Sequence, residues 1–382
     1  MPRCATLTLL ALRVILSDAA ALNATIAHGV LSINGDSVGN TTSAISAVIT
    51  KFFAGASPRP AGAVTLKNSS SGVYSYLTLI GEYAADASIL LAPQLMLVLD
   101  GAALTVLPTF KPAAANNAVI IAMHADNSGV VSPGGPARAS VSCAAGGPMP
   151  AAVYAGQSAN FVLDGLAITN CGLDGGGAVH IEGLPVVLGG EVANCEIKNA
   201  STRAIWTEKV NRVAIHGNVI TDAYAHTIDF DAFSASSIAY NNTVSGSRQE
   251  AVFIEQGASY ITVGDNDLGP GNGCGVAVYN NAINSPTHGH VIARNRVFGN
   301  ARGISVGSTA TRSGAPDEDV LVAGNILWDN GGQGIHTNGA QVDTIYAANA
   351  DADGMSAFTT TMATGRNISF SDPLDRARVG TQ

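Results

Sequence analysis

The 382-residue chain is poor in charge: only 12% of its residues are Asp, Glu, Lys or Arg, about half the roughly 25% of an ordinary soluble domain. Aromatic residues are scarce too, at 5%. Low charge excludes a coiled coil, whose seam is flanked by charged positions, and a hydrophobic content of 47% excludes a disordered tail. Basic residues are fewer than acidic ones, 19 against 28, for a net charge of -9. A general nucleic-acid binder is thereby excluded, because it needs a basic face to gain from counterion release. No run beyond the N-terminus approaches the roughly 18 apolar residues of a spanning helix, so no membrane span is expected. What is plentiful is small and polar: 43 glycines, with Ser, Thr and Asn left to cover the surface. All-β architectures commonly pass about 200 residues as one unit, so the length alone does not demand several domains.

Residues 1–21 read MPRCATLTLLALRVILSDAAA. A basic start, an apolar stretch from Ala5 to Leu16 and small residues before residue 22 have the form of a secretory signal peptide. Arg13 interrupts the stretch, and an N-terminal strand is the alternative. Cleavage would remove Cys4 and leave Cys143, Cys171, Cys195 and Cys274, which allow three pairings in an oxidising compartment. Their spacing fits no zinc-thiolate pattern. Sequons at Asn23, Asn40, Asn68, Asn199, Asn241 and Asn367 suit a glycosylated extracellular or cell-wall protein.

Seven segments stack on one another: GAVHIEG from Gly177, RAIWTEK from Arg203, HTIDFDA from His226, EAVFIEQ from Glu250, CGVAVYN from Cys274, RGISVGS from Arg302 and QGIHTNG from Gln333. Their starts lie 26, 23, 24, 24, 28 and 31 residues apart by subtraction of those numbers. Each reads x-small-apolar-x-apolar-x-x, the alternation of a strand. A second repeat runs between them and places Asn218, Asn242, Asn266, Asn295 and Asn325 at equivalent positions. An amide at a recurrent turn can bond the same turn in the coils above and below, so a ladder is expected. Short strands recurring at this period, with no helical period, predict a solenoid of stacked coils. Upstream, Ile45, Val48, Ile49, Phe52 and Phe53 form an amphipathic stripe, predicting a capping helix over 35–55 that covers the sticky first coil. LMLVLDGAALTVL, AVIIAMHADNSGVVSPGG and ANFVLDGLAITNC supply three earlier coils.

In these features the chain resembles the right-handed parallel β-helix superfamily of pectate lyases, polygalacturonases and alginate epimerases. GDSVGNTTSAISAVI is similar to that superfamily's capping helix, and LVLDGAALTVL with SGVVSPGG to its early coils. The resemblance spans roughly Gly35 to Ala347. It implies an all-β right-handed parallel β-helix with an N-terminal capping helix. One domain is expected over 22–360, with coils over 77–347 and a cap or tail over 361–382. The fold hosts many chemistries, so function must be argued from the site.

Strict alternation sends the second, fourth and sixth positions of each unit outward. The fourth column reads His180, Trp206, Asp229, Phe253, Ala277, Ser305 and His336. The sixth begins Glu182, Glu208, Asp231, Glu255 and continues to Tyr279. Rungs are about 4.8 Å apart, so four carboxylates in register would repel at each step. In a chain this short of charge, such a column suggests a cation, shared protons or a substrate. The densest cluster is Tyr224, His226, Asp229, Asp231, Arg248, Glu250 and Glu255. His180 and His336 are expected to be surface residues, and Glu182 and Glu208 solvated ones. Insertions at Pro185–Gly190, Ala282–His290 and Ser308–Asp319 would wall a groove beside Trp206, Phe253 and Tyr279. Such a groove suits an extended polysaccharide.

Three functions compete. A lyase or C5-epimerase on a uronate polymer would use His226 as base, oriented by Asp229 or Glu250. Arg248 or Arg203 would neutralise the carboxylate and Tyr224 would supply the acid. No cofactor is required; calcium held by Asp231 and Glu255 would serve in place of an arginine. The Asp-Pro-His motif of alginate epimerases is replaced here by His226-Thr227-Ile228-Asp229. A glycoside hydrolase would pair Asp231 with Glu255. HTIDFDA resembles the Asn-Thr-Asp-Gly-Ile-Asp strand of polygalacturonases, but Ile228 and Gln249 stand where that family has catalytic aspartates. A non-catalytic glycan-binding or surface protein, monomeric like the others, is the third reading.

Overall fold

In the computed structural model, described residues run from 75 to 351 with gaps at 114–115, 145–146, 173–175, 280–286, 308–316, 332–333, 338–340, 343 and 348, joined by strands at 10–14, 22–27, 30–34 and 358–360. Nearly every strand pairs in parallel with its equivalent one coil later. Three stacks result. The first contains Ala151–Gly156, the start of Gly177–Ala193, the start of Arg203–His216, Ile228–Asp231, Glu250–Glu255, Cys274–Tyr279, Ile304–Val306 and Ile335–Thr337. The second runs through Ile238–Tyr240, Thr262–Gly264, Val291–Ala293 and Leu321–Ala323. The third runs through Val219–Thr221, Thr243–Ser245, Asp267–Leu268 and Arg296–Phe298.

The seven-residue alignment holds in the register. His180 faces Trp206, Trp206 faces Asp229, Asp229 faces Phe253, Phe253 faces Ala277, and the column runs on to His336. The third and fifth positions, such as Val179, Ile181, Ile205, Ile228, Phe230, Val252 and Ile254, fill the bore. Burial of that aliphatic column drives stacking, because a single coil cannot cover its own apolar face. The second position departs from strict alternation. Ala178, Ala204 and Ala251 belong to the core and Thr227 is fully buried. At this corner the chain presses on the next coil: a Cβ at Gly303 would stand 2.1 Å from the carbonyl oxygen of Gly334. No side chain fits at Gly303 without a shift of that backbone.

The asparagine ladder is present and longer than the sequence indicated. Asn218, Asn242, Asn266, Asn295, Asn325 and Asn349 each pass a side-chain amide bond to the next, at 2.9–3.0 Å. The rungs from Asn218 to Asn325 are each preceded by a residue in the left-handed region, among them Asn241 at φ 53°, Asp265 at 57° and Arg294 at 57°. A second ladder, Asn272 to Asn300 to Asn330, bonds through backbone N–H groups at 3.1 and 3.2 Å. Cys143 and Cys171 form a disulfide, while Cys195 and Cys274 are free and buried.

The residues expected to form the capping helix, 35–55, and the tail, 361–382, lie outside the described residues. Leu10–Val14 forms a strand antiparallel to Leu22–Ala27, which pairs with Val30–Asn34, and that strand adds in parallel to Ser75–Ala87. Of the three expected insertions, Pro185–Gly190 lies inside the strand Gly177–Ala193, where the register shifts. Residues 282–286 and 308–316 of the other two lie outside the described residues.

Candidate active site

The outward positions of the first stack carry the cluster, but three of the carboxylates expected to face outward are buried. Asp229 is 0% exposed, Asp231 5% and Glu255 2%. Large neighbours on adjacent rungs explain this. Arg203 Nε donates to Asp229 Oδ2, and Trp206 Nε1 donates to Asp231 Oδ2 at 3.1 Å. The Ala232 N–H donates to Asp231 Oδ1 at 2.6 Å. Burial pushes the Asp229 carboxyl up to about 6; Arg203 and His226 oppose the shift and Asp231 adds to it. Burial also raises Asp231, against its bonds from Trp206 and Ala232.

His226 stands at the open edge. Its Nδ1 lies 2.5 Å from Glu250 Oε2, and the two side chains keep 17% and 25% of their exposure. Its ring stacks on Phe253, centroids 4.3 Å apart. The register that places Glu250 one rung above His226 is the sequence alignment made physical. Among the described residues, a ring nitrogen of His226 and carboxylate oxygens of Asp229 and Glu255 lie within 4.8 Å of one another. Asp231, paired with Glu255 as an expected calcium ligand, is not in that group, and hydrogen bonds already engage both its oxygens.

The aromatic residues expected to lie open to a sugar instead stack on protein. Trp206 lies against the His180 ring at 4.0 Å and 12° and beneath the Arg203 guanidinium at 4.6 Å. Phe253 is buried between His226 and Tyr279. Rings spaced by the rung repeat cover one another's faces, so a ligand on this surface meets edges. His180, expected at the surface, is buried and held down to about 3 by burial, with Arg203 and Lys209 adding. Glu182 accepts from the Tyr154 hydroxyl at 2.5 Å, and Glu208 pairs with Lys209. Those contacts disperse the repulsion of the carboxylate column. Tyr154 was missed, yet Ala151–Gly156 fits the same repeat one coil earlier, and that spacing would have found it.

Tyr224 and Arg248 come together, with the guanidinium 4.5 Å over the ring. They line a cavity of 310 Å³ with Asn199, Ser201, Asp222 and Gly246. Each precedes its first-stack strand position, His226 or Glu250, by two residues. His226 does not line that cavity.

A family model described as "Right handed beta helix region" matches residues 151–325. A comparison with curated protein sequences gave no match. Among solved structures, the polygalacturonase from Erwinia carotovora ssp. carotovora aligns at 15% identity and TM-score 0.59, covering 89% of this chain and 96% of that one. The tailspike protein of E. coli bacteriophage HK620, in complex with pentasaccharide, aligns at 10% identity and TM-score 0.55, over 78% of this chain and 58% of that one. The periplasmic alginate epimerase AlgG aligns at 13% identity and TM-score 0.50, over 84% and 69%. At such identities the likeness is one of fold. Together with the parallel register from coil to coil, it shows a parallel β-helix fold, with the family-model match confined to residues 151–325.

Proposed function

We propose that the chain is a secreted, polysaccharide-active β-helix whose first-stack face abstracts a proton from a uronate residue, as a lyase or C5-epimerase. One observation carries this reading. His226 and Glu250 form an accessible imidazole–carboxylate pair on the face, at 2.5 Å, whereas the carboxylates a hydrolase would need, Asp231 and Glu255, are 5% and 2% exposed. An imidazole fixed by a carboxylate has the form of an oriented general base. Named neighbours in fold supply the substrate class: a polygalacturonase, an alginate epimerase and a tailspike bound to a pentasaccharide.

In the proposed reaction His226 takes the proton next to the sugar carboxylate. Arg248, exposed beside Tyr224, neutralises that carboxylate and the charge that develops on it. The electron pair left on carbon forms the new double bond and expels the glycosidic oxygen, which Tyr224 protonates. In the epimerase variant Tyr224 returns a proton to the opposite face. Arg203, already bonded to Asp229, holds the buried charge beside the base.

The test is a screen of the purified chain against uronate polymers. Ultraviolet absorbance reports an unsaturated product, and solvent-deuterium incorporation reports epimerisation. His226→Ala is expected to abolish either signal while leaving the thermal midpoint nearly unchanged. Full activity in that variant refutes the base; polymer binding without any product in the wild type refutes the elimination and leaves a binding protein.

A further inference from the structure

We propose that His226, Asp229 and Glu255 form a binding site for a divalent transition ion of the zinc class. The three offer one imidazole nitrogen and two carboxylate oxygens within 4.8 Å of one another. Mixed nitrogen and oxygen ligands of this kind suit zinc better than calcium, which prefers oxygen alone. Zinc held at about 2.1 Å would draw tetrahedral ligand atoms to roughly 3.5 Å apart, so the three groups would close on the ion from their present spacing of up to 4.8 Å.

A second observation points independently to a ligand. Asp229 is fully buried and its Oδ1 has no hydrogen-bond partner, although Arg203 occupies Oδ2. An unmatched buried carboxylate oxygen is costly unless a cation or donor meets it. The surroundings are prepared for an ion as well. Glu250 engages Nδ1 of His226, the outer contact that metal-bound imidazoles usually make, and it leaves Nε2 for the metal. Local charge agrees, since the carboxylates of Asp229, Glu250 and Glu255 gather around His226, with Arg203 bonded to Asp229. An ion on His226 would take the nitrogen that elimination assigns to the proton, so zinc and turnover would exclude each other. The site itself does not depend on the lyase reading.

Full-length protein, stripped with a chelator and free of any glycan, is titrated by calorimetry with Zn²⁺ and separately with Ca²⁺. One equivalent of Zn²⁺ is expected, bound far more tightly than Ca²⁺. His226→Gln, Asp229→Asn and Glu255→Gln should each weaken Zn²⁺ by more than the about 10–100-fold expected for the outer-contact variant Glu250→Gln. Glu208→Gln, on the same face but outside the group, should bind as the wild type does. Circular dichroism checks folding, and any one folded ligand variant decides. Absent Zn²⁺ binding, binding that survives the ligand substitutions, or Ca²⁺ bound as tightly as Zn²⁺ overturns the proposal. Because no substrate is present, failure here is separable from failure of the proposed reaction.

Discussion

Replacing Asn266 by alanine should expose how much of the solenoid's stability runs through its amide ladder. Asn266 is buried, and its Oδ1 accepts from both the backbone N–H and the Nδ2 of Asn242, each at 2.9 Å. Its own Nδ2 donates to Ala239 O at 3.0 Å, Gly264 O at 3.0 Å and Asn295 Oδ1 at 2.9 Å. Not all of this is lost. Asn242 Nδ2 keeps Ile215 O, and Asn295 Oδ1 keeps the Asn266 N–H. The Asn242 N–H, however, is left buried without that acceptor, at about 1–3 kcal/mol, and the other lost bonds cost about 1 kcal/mol each. The expected sum is about 5–7 kcal/mol, a large part of a domain's usual stability of about 5–15 kcal/mol. Urea unfolding measures it, with the slope checked so that a change in midpoint reports stability alone. Asn241→Gly, at an exposed left-handed turn position, is the control and should shift stability by less than about 0.5 kcal/mol. A ladder also predicts coupling: Asn242→Ala with Asn266→Ala should cost less than the sum of the two single changes, because they share bonds. A cost below about 1 kcal/mol, or strict additivity, would show that these residues are independent turn formers.

Other consequences follow from single groups. Removing the Cys143–Cys171 disulfide as a double alanine variant, which opens a loop of sequence separation 28, should cost about 3–4 kcal/mol by loop-closure entropy, read as a lower urea midpoint. Burial pushes the Cys195 and Cys274 thiols up to about 12, so peptide mapping after alkylation should find both unlabelled in the native state and labelled in urea. His290 is buried and held down from 6.5 to about 3 by burial, with His288 adding. Below its ordinary pKa the unfolded chain binds a proton that the folded one does not, so stability should fall with falling pH by about 1.4 kcal/mol per pH unit for this group. His290→Gln should remove that increment of slope between about pH 6 and 4, as followed by urea midpoints.

The solenoid was legible because its signal is redundant. A bore that must be apolar on every coil forces the same two positions to recur, and Asn218 through Asn325 recur with them for a separate hydrogen-bonding reason. Either pattern alone gives the period, and the observed register pairs the residues the alignment pairs. The second position misled because alternation describes a straight strand. At a corner the relevant contact is with the next coil's backbone, and the small size of Ala178, Ala204, Ala251 and Gly303 was the available clue.

The site was legible in its membership and not in its exposure. Register depends on sequence order alone, so the stacking of His226 under Glu250 and of Trp206 under Asp229 could be counted from spacing. Burial depends on side-chain reach across rungs, which spacing does not contain. Arg203 and Trp206 fold onto the next coil and cover Asp229 and Asp231. His180, Trp206, Phe253 and His226 spend their ring faces on their neighbours. This has a chemical consequence. A fully exposed carboxylate column would be an acidic surface that repels an anionic glycan; buried and bonded to Arg203, Trp206 and Lys209, these carboxylates present less open charge, and His226 remains accessible beside them. The cation beside the cavity, Arg248, then supplies the local attraction that a net charge of -9 withholds. Arg248→Gln should therefore weaken uronate polymer binding more as ionic strength is lowered, relative to the wild type, and leave a neutral polymer's binding unchanged; equal loss for both polymers would mean that Arg248 acts by shaping the Tyr224 cavity and not through its charge.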